Sequence, residues 1–232
     1  MSKTAWSLLL ALGVLAGPAA ASNCPPSFED LAAKPPQAGA PLRAPNRQIR
    51  VWAVAAYEAA PHLVRSWLVL RDEPRSRELI ALPPGTRNGQ PRRQPGSFSV
   101  FCPVDWSSDS RLLLVEELVG VMNSEFSPVT WTYDTGQRRW TLIDSSELRR
   151  ALEAYWKARG TDLHGIGWEL DVLGWAGGDT GRVVFKAYTP HDTPGSFLGL
   201  WSVTRTGRSP RLVSRDESGF TVRRFGVTVE PR

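Results

Sequence analysis

The side chains that could carry out catalytic chemistry are few and lie far apart along the chain. Neither a His-Glu-x-x-His motif nor a Gly-x-Ser-x-Gly turn occurs, and no glycine-rich phosphate loop precedes a helix. The histidines are His62, His164 and His191. A Ser-His-Asp site would have to assemble in space, and His191 beside Asp192 is its best nucleus. The sequence therefore predicts no catalytic residue, metal or cofactor, with a hydrolase built around His191 as the least favoured alternative.

Two acidic turns raise the question of a calcium site. Asp105 and Asp109 flank one turn, and Gly177-Gly178-Asp179 forms the other. A calcium ion takes about six to eight oxygen ligands, which is more than two aspartates in a hairpin supply. Aspartate side chains commonly accept hydrogen bonds from the backbone of a turn. We therefore interpret these aspartates as turn residues.

Arginines are the strongest candidates for ligand contacts. Arg87, Arg92 and Arg93 fall in the loop "PPGTRNGQPRRQPGS", residues 83–97, and Arg223 and Arg224 follow near the end of the chain. Guanidinium groups match phosphate and carboxylate groups in pairs. If these arginines share a face, the sequence predicts binding of an acidic polysaccharide or of anionic envelope components. The alternative is that they are solvated loop residues.

Both cysteines, Cys24 and Cys102, lie in the part of the chain that is expected to be exported. In an oxidising compartment two thiols most simply form one disulfide bond. Such a bond would close a loop of nearly eighty residues and stabilise the fold by ~4 kcal/mol in the chain-entropy model. Two distant cysteines are too few for a metal site.

Residues 1–21 have the pattern of a secretory signal peptide: a basic start, an apolar stretch from Leu8 to Leu15, and small residues up to Ala21. The apolar stretch is too short to span a bilayer. Cleavage after Ala21 removes one lysine of the 28 Lys and Arg, which leaves 27 against 23 Asp and Glu. This small excess on an exported chain argues against nucleic-acid binding. We predict a periplasmic or secreted protein without a transmembrane segment.

These residues must be positioned by a sheet, because strand-turn-strand patterns recur along the chain. The stretch that starts at Trp106, "WSSDSRLLLV", aligns with "WAGGDTGRVVF", which starts at Trp175. Eighteen residues after Leu113 and Val183 come two further tryptophans, Trp131 and Trp201. Each is followed by a Thr-Gly pair, where glycine can adopt the positive φ of a tight hairpin. Eleven residues after each tryptophan stands an apolar pair, Leu142-Ile143 or Leu212-Val213.

An earlier copy of the pattern runs through Trp67 to Leu79-Ile80, with one extra residue in its turn. Repeats of about forty residues with four antiparallel strands are typical of propeller blades. We predict an all-β fold of three such blades, at about 49–82, 103–144 and 171–214. The first copy has three strands, and the C-terminal strand at 220–230 is expected to complete it. The alternative is a β-sandwich or barrel.

The segment "WSSDSRLLLVEE" with "TWTYDTGQRRWTLI" resembles the blades of TolB-type periplasmic β-propellers, in which a Trp-Ser-x-Asp-Gly-Arg turn leads into an apolar strand. The resemblance covers the two later blades and departs at Ser110, where that pattern has glycine. It implies a propeller-like sheet and no catalytic residue. Closed propellers have about four to eight blades, so three blades imply an open fan or a ring completed by dimerisation.

Two segments lie outside the blades. Residues 22–48 are rich in proline and are predicted to form an extended arm that the Cys24–Cys102 bond lays across a sheet edge. Residues 145–159 are predicted to form one inserted helix, because Asp144 and Glu147 make a capping pair and Gly160 follows as a stop. Its apolar stripe is expected to pack on the sheet. The stripe comprises Leu148, Ala151, Leu152, Tyr155 and Trp156.

The signal peptide, the repeated sheet and the missing catalytic motifs together favour a non-enzymatic exported protein. In this hypothesis residues 49–232 form one propeller-like domain that is a platform for a protein partner or for a second copy of the chain. The arginine surface for acidic polymers is the main alternative.

Overall fold

The computed structural model describes residues 23–25, 36–58, 63–82, 97–121, 126–177, 179–189, 196–223 and 228–231. Most of the regular structure is strand, which confirms the predicted all-β class. The strands are β1 (Gln37–Ala38), β2 (Leu42–Arg43), β3 (Ile49–Glu58), β4 (Leu63–Asp72), β5 (Arg77–Ala81), β6 (Ser97–Trp106), β7 (Leu112–Val121), β8 (Phe126–Asp134), β9 (Arg139–Leu142), β10 (Glu169–Ala176), β11 (Asp179–Tyr188), β12 (Phe197–Thr204), β13 (Arg211–Val213), β14 (Phe220–Arg223) and β15 (Thr228–Pro231). The helices are α1 (Ser146–Lys157), a 3-10 turn (Leu163–Gly165) and α2 (Arg215–Ser218).

The strands β1 to β13 form three antiparallel groups. The first group is β1 to β5, the second is β6-β7-β8-β9 and the third is β10-β11-β12-β13. A single parallel bridge, between Val64 and Phe98, joins the first group to the second. The second group begins at Ser97, earlier than the predicted boundary at residue 103. The described strands form no closed barrel.

The strand that completes the first group comes from the N-terminal segment. Both β1 and β2 pair with the same edge of β3, through Gln37–Ala38 and Leu42–Arg43. The prediction that the C-terminal segment completes this group is wrong, because β14 pairs with β15 in a sheet of two strands. The short lengths of β1 and β2 explain why no strand pattern marks them in the sequence.

A disulfide bond joins Cys24 to Cys102, as predicted. It ties the N-terminal segment to β6 of the second group, while β1 and β2 hold the same segment on the first group. The segment therefore covers a strand edge that would otherwise offer free N–H and C=O groups. No helix in the described part of the chain is long and apolar enough to cross a membrane.

The groups stack face to face in chain order, which β7 shows most clearly. Its side chains alternate between two cores, as expected for a strand that is covered on both faces. Leu113 and Val115 lie in the core that is shared with the first group. Leu112 and Leu114 lie in the core that is shared with the third group and with α1. All four are buried.

Helix α1 fills space between the second and third groups. Leu148 and Leu152 of the predicted stripe are completely buried there, and the indole of Trp156 donates to the carbonyl of Leu198 at 3.2 Å. The helix start differs from the predicted capping pair. The carboxylate of Asp144 accepts from the backbone N–H and the hydroxyl of Ser146, at 2.9 and 3.0 Å.

Turn geometry accounts for the departure from the TolB-type pattern at Ser110. This residue has φ 61, in the left-handed region that favours glycine. Its hydroxyl accepts from the backbone N–H of Asn46 at 3.0 Å, which ties the turn to the N-terminal segment. The predicted positive φ is confirmed at Gly207, with φ 79. It is wrong in the hairpin of the second group, where Arg138 has φ 52 in place of Gly136.

The register of the groups shows which tryptophans are equivalent. Trp131 pairs with Val115 and Leu142, and Trp201 pairs with Phe185 and Leu212. In the first group the equivalent residue is Val69, which pairs with Trp52 and Ile80. Trp67 lies two residues earlier on the same strand face. A four-residue turn follows Asp72 just as one follows Asp134. The predicted equivalence of Trp67 with Trp131 is therefore wrong by two residues.

Candidate functional site

One face of the first group carries apolar side chains that none of the described strand groups covers. Side chains that lie directly opposite each other on paired strands project to the same face. Trp52 of β3 pairs with Val69 of β4, Val69 pairs with Ile80 of β5, and Val54 pairs with Trp67. We call this surface the open face and define it by Trp52, Val54, Trp67, Val69 and Ile80.

The equivalent face in the other two groups packs on the preceding group, with Val115 and Phe185 buried and Trp131 half-buried. In the second group it includes Val115 and Trp131, which pack on the first group. In the third group it includes Phe185 and Trp201, which pack on the second group. By the same pattern, the open face of the first group would pack on a preceding sheet, but no described strand group precedes it. The open face is thus the end of the stack that no described strand group covers.

Exposure along the open face differs between positions. Trp52, Val54 and Trp67 are half-buried and Val69 is buried. Ile80 is 58% exposed, and Leu82, directly after β5, is 45% exposed. Positions equivalent to Ile80 are also exposed in the other groups, at 46% for Leu142 and 42% for Leu212. Ile80 differs from these two in its surroundings, because it pairs with Val69 on the open face, whereas Leu142 and Leu212 pair with tryptophans that pack on the preceding group.

Charged side chains border the open face at both ends of its strands. Arg50 and Arg71 occupy positions where the second group has Leu113 and Tyr133. Arg50 lies 2.7 Å from the carboxylate of Glu73. At the other end, Arg65 and Glu58 are 3.0 Å apart. Arginine at the ends and tryptophan in the middle make a surface with an apolar centre and a polar rim, which is the usual composition of a protein interface.

The predicted arginine surface falls mostly outside the described residues. Arg87, Arg92, Arg93 and Arg224 are outside them, and Arg223 is placed on β14 by its backbone only. The shared face of these five arginines therefore stays a prediction.

The predicted catalytic nucleus, His191 with Asp192, also lies outside the described residues, as does His62. His164 is an exposed residue of the 3-10 turn, and its Nε2 is 3.7 Å from a carboxylate oxygen of Glu153. Among the side chains that the structure describes, no three His, Cys, Asp or Glu residues come close enough to hold a metal ion.

The acidic turn residues serve the backbone. Asp109 accepts from the hydroxyl of Ser107 and the N–H of Arg111, which holds the pKa of Asp109 below its usual value. Asp105 accepts from the N–H groups of Trp106 and Trp175, at 2.8 and 3.0 Å. The bond to Trp175 links the second group to the third. Burial nevertheless raises the pKa of Asp105, because its charged form is desolvated.

A polar cleft of about 440 Å³ lies between the start of α1 and the hairpin of β12 and β13. Arg150 and Arg208 line it together with Asp144 and Glu147, so positive and negative charges are balanced. Hydrogen bonds from Ser146 lower the pKa of Asp144, which thus stays charged beside the helix start. The hydroxyl of Ser146, which also lines the cleft, donates to the carboxylate of Asp144 at 3.0 Å as a local contact of the helix start, and none of the described lining residues is a histidine.

Two carboxyl groups on β7, buried Glu117 and half-buried Glu116, were not singled out from the sequence. Glu117 is buried between the first and second groups, where it accepts from the hydroxyl of Ser99 at 2.5 Å and the indole of Trp131 at 2.9 Å. Glu116 points to the other side. Burial, and then the charge of Asp171, raises the pKa of Glu116 to about 7. The sequence feature that could have identified them is the pair of adjacent glutamates inside the apolar run of β7.

Comparison of the chain with models of known protein families and with curated proteins finds no match.

Proposed function

We propose that the protein is an exported, non-enzymatic platform that binds a protein through the open face. In this proposal the three strand groups are successive blades of an open, propeller-like fan, and the open face is its uncovered end. The observation that carries the proposal is the contrast between half-buried Trp52 and its buried equivalents, Val115 in the second group and Phe185 in the third.

The composition of the open face supports a protein partner. Tryptophan contributes more binding energy than most residues at protein interfaces, especially within a rim of charged side chains. A single exposed leucine needs no explanation, whereas adjacent aromatic and aliphatic side chains on one sheet face indicate a binding surface. The arginines of the rim have glutamates beside them, which favours a protein over a uniformly acidic polymer at this face.

Export rests on the signal-peptide pattern at residues 1–21 and on the disulfide bond. Disulfide bonds persist in oxidising compartments such as the periplasm and the extracellular space. The periplasmic or secreted location is part of the proposal and is checked by fractionation of cells that produce the protein.

Site-specific photo-crosslinking in the producing cells tests the proposed binding face. A photoreactive amino acid is placed at position 80 and, as a matched control, at position 212. Both positions are exposed and stand at equivalent points of their groups. We expect a covalent adduct from position 80 and none from position 212. Equal adduct formation at both positions, or none at position 80, would contradict the proposal.

A further inference from the structure

One end of the open face carries a row of arginines. Arg43 of β2 pairs with Arg50 of β3, and Arg50 pairs with Arg71 of β4. Because directly paired residues project to the same face, the three guanidinium groups line one border of the open face. The row continues to Glu78 of β5, which pairs with Arg71. We call Arg43, Arg50, Arg71 and Glu78 the charged row.

The equivalent row in the second group is apolar. Leu113, Tyr133 and Trp140 are paired in the same way across β7, β8 and β9, and they belong to the core that the second group shares with the first. In the first group the charged row stands at these positions. A neighbour that covers the open face and buries the charged row without supplying opposite charges would pay a large desolvation cost. The occupant must therefore bring charges of its own to this border.

The charged row is not neutralised by the described residues around it. Glu73 lies 2.7 Å from Arg50 and 3.7 Å from Arg71, so one carboxylate serves two arginines. Glu78 lies 3.9 Å from Arg71. Arg43 is exposed, and none of the ion pairs in the described part of the chain includes it. Three guanidinium groups thus stand beside two carboxylates, which leaves a net positive charge next to the tryptophans.

The two ends of the first group differ in net charge. Residues 43–50 and 71–78, at the end with the charged row, contain six arginines and three acidic residues. Residues 55–58 and 63–66, at the opposite end, contain one arginine and one glutamate, Arg65 and Glu58, which lie 3.0 Å apart. The open face is therefore basic at one end, apolar in the centre and neutral at the other end. Complementary charges at an interface suppress wrong partners and fix the register, so the matching partner is acidic at one end only.

The spacing along β3 gives the dimensions of a matching segment. Residues two apart on one face of a strand are separated by about 6.6 Å, which applies to Arg50 and Trp52 and again to Trp52 and Val54. A matching segment carries a carboxylate and then two apolar side chains at steps of this size. Such steps correspond to every second residue of an extended segment or every fourth residue of a helix. An acidic polysaccharide matches the charged row but not the apolar centre.

We propose that the occupant of the open face is an acidic, amphipathic protein segment, whose carboxylates contact Arg43 and Arg50 and whose apolar side chains cover Trp52 and Ile80. The inference rests on the proposed function and gives the chemistry of its partner.

A charge reversal at Arg43 tests this inference in the photo-crosslinking experiment with the photoreactive residue at position 80. Arg43→Glu is expected to lower the adduct yield at least about fivefold, since like charges then meet at the interface. Arg43→Lys keeps the charge and should retain most of the adduct. The matched control is Arg205→Glu, an equal change of net charge at an exposed residue of the β12–β13 hairpin, which should leave the yield unchanged. An undiminished yield in Arg43→Glu, or an equal loss in Arg205→Glu, would overturn the inference.

Mass spectrometry of the adduct from position 80 identifies the attached segment and allows a second test. We expect an acidic residue within about eight residues of the attachment point, which is two helical steps of the spacing above. Replacement of that residue by lysine in the partner should restore the adduct with Arg43→Glu, because opposite charges then meet again. Absence of an acidic residue in this range, or failure of the exchange to restore the adduct, would refute the predicted contact.

The outcomes separate this inference from the proposed function. A protein adduct from position 80 that is insensitive to Arg43→Glu overturns the acidic partner and leaves the binding face in place. An adduct with an acidic polysaccharide contradicts both, since both name a protein. No adduct from position 80 also overturns both.

Discussion

The two ends of the stack of sheets differ in what covers them. At the third group, α2 and Phe220 close the outer face, and Val184 behind them is completely buried. At the first group, Trp52 and Trp67 remain half-buried on a face that no described strand group covers. Terminal repeats in stacked proteins usually carry a polar outer face. The first group meets this requirement at the ends of its strands, with Arg50 and Arg71, and departs from it in the middle.

The uncovered end of the stack therefore combines two kinds of residue, charged side chains at the rim and tryptophans in the centre. Arginine at the rim keeps the end of the stack hydrated, whereas the central tryptophans keep the surface that a neighbouring sheet would bury. A face that served solubility alone would gain nothing from two tryptophans. We therefore propose binding at the first group, where the end of the stack is open.

The largest effect is expected from the disulfide bond that secures the N-terminal segment beside the open end. Cys24 and Cys102 are 78 residues apart in sequence. Removal of a bond that closes a loop of this size lowers the free energy of unfolding by about 4 kcal/mol in the chain-entropy model. Cys24→Ser/Cys102→Ser should lower the free energy of unfolding by about this amount in urea titrations. A loss below about 1 kcal/mol would show that β1 and β2 hold the segment without the bond.

Removal of the Phe220 side chain at the closed end is expected to lower the free energy of unfolding by a similar amount. Phe220→Ala should lower the free energy of unfolding by about 3 to 5 kcal/mol, since it leaves a cavity over Val184. Ile80→Ala, at the open end, should change it by no more than about 0.5 kcal/mol. Thermal and urea unfolding of both variants checks the contrast. Similar losses in the two variants would mean that the two ends are equally covered.

A smaller effect is expected from pH, between the second and third groups. Burial raises the pKa of Glu116 to about 7 from its usual 4.5, so the folded protein binds a proton more tightly than the unfolded chain does. Its contribution to stability is complete below about pH 4.5 and is lost as the pH rises to about 7. The loss is roughly 2 kcal/mol after allowance for partial exposure. The free energy of unfolding of wild type should fall across this range by about this amount more than that of Glu116→Gln, which keeps the contributions of the other titrating groups, such as buried Asp105.

The smallest effect is expected at the turn that departs from the blade pattern. Ser110→Gly relieves the left-handed φ of 61 and removes the hydrogen bond from Asn46. Each change is worth about 1 kcal/mol, so they nearly cancel and the free energy of unfolding should shift by less than about 1 kcal/mol. Ser110→Val, which adds a branched side chain to the same backbone, should cost clearly more. Equal stability of the two variants would contradict this explanation of Ser110.

Much of the fold could be predicted from the sequence, because its signals are local. The run of apolar residues in β7 indicated a strand covered on both faces, and Leu112 to Val115 are indeed shared between two cores. The helix was predicted to within about two residues, from its 3.6-residue period. The bond between Cys24 and Cys102 followed from the presence of two cysteines in a chain that is expected to be exported. The family resemblance and the propeller arrangement stay predictions.

The remaining features depend on pairings that are distant in sequence. Nothing in the composition of Gln37–Ala38 marks it as a strand, and only the edge of β3 makes it one. Trp67 matches Trp131 in residue type, but the four-residue turn after Asp72 places Val69 at the equivalent position. The open face had one readable signal: arginines at positions 50 and 71, where the later copies have apolar residues. That signal appears only after the register of the first group is corrected.

Oxidative footprinting of the tryptophans, in producing cells and in dilute purified protein, tests the central claim most directly. Trp52 and Trp67 on the open face should be oxidised readily in the dilute protein and be protected in cells. Trp175, which is buried in the core of the third group, should react little in either case and is the internal reference. Equal oxidation of Trp52 and Trp67 in the two conditions would contradict the claim that this face is occupied by a protein.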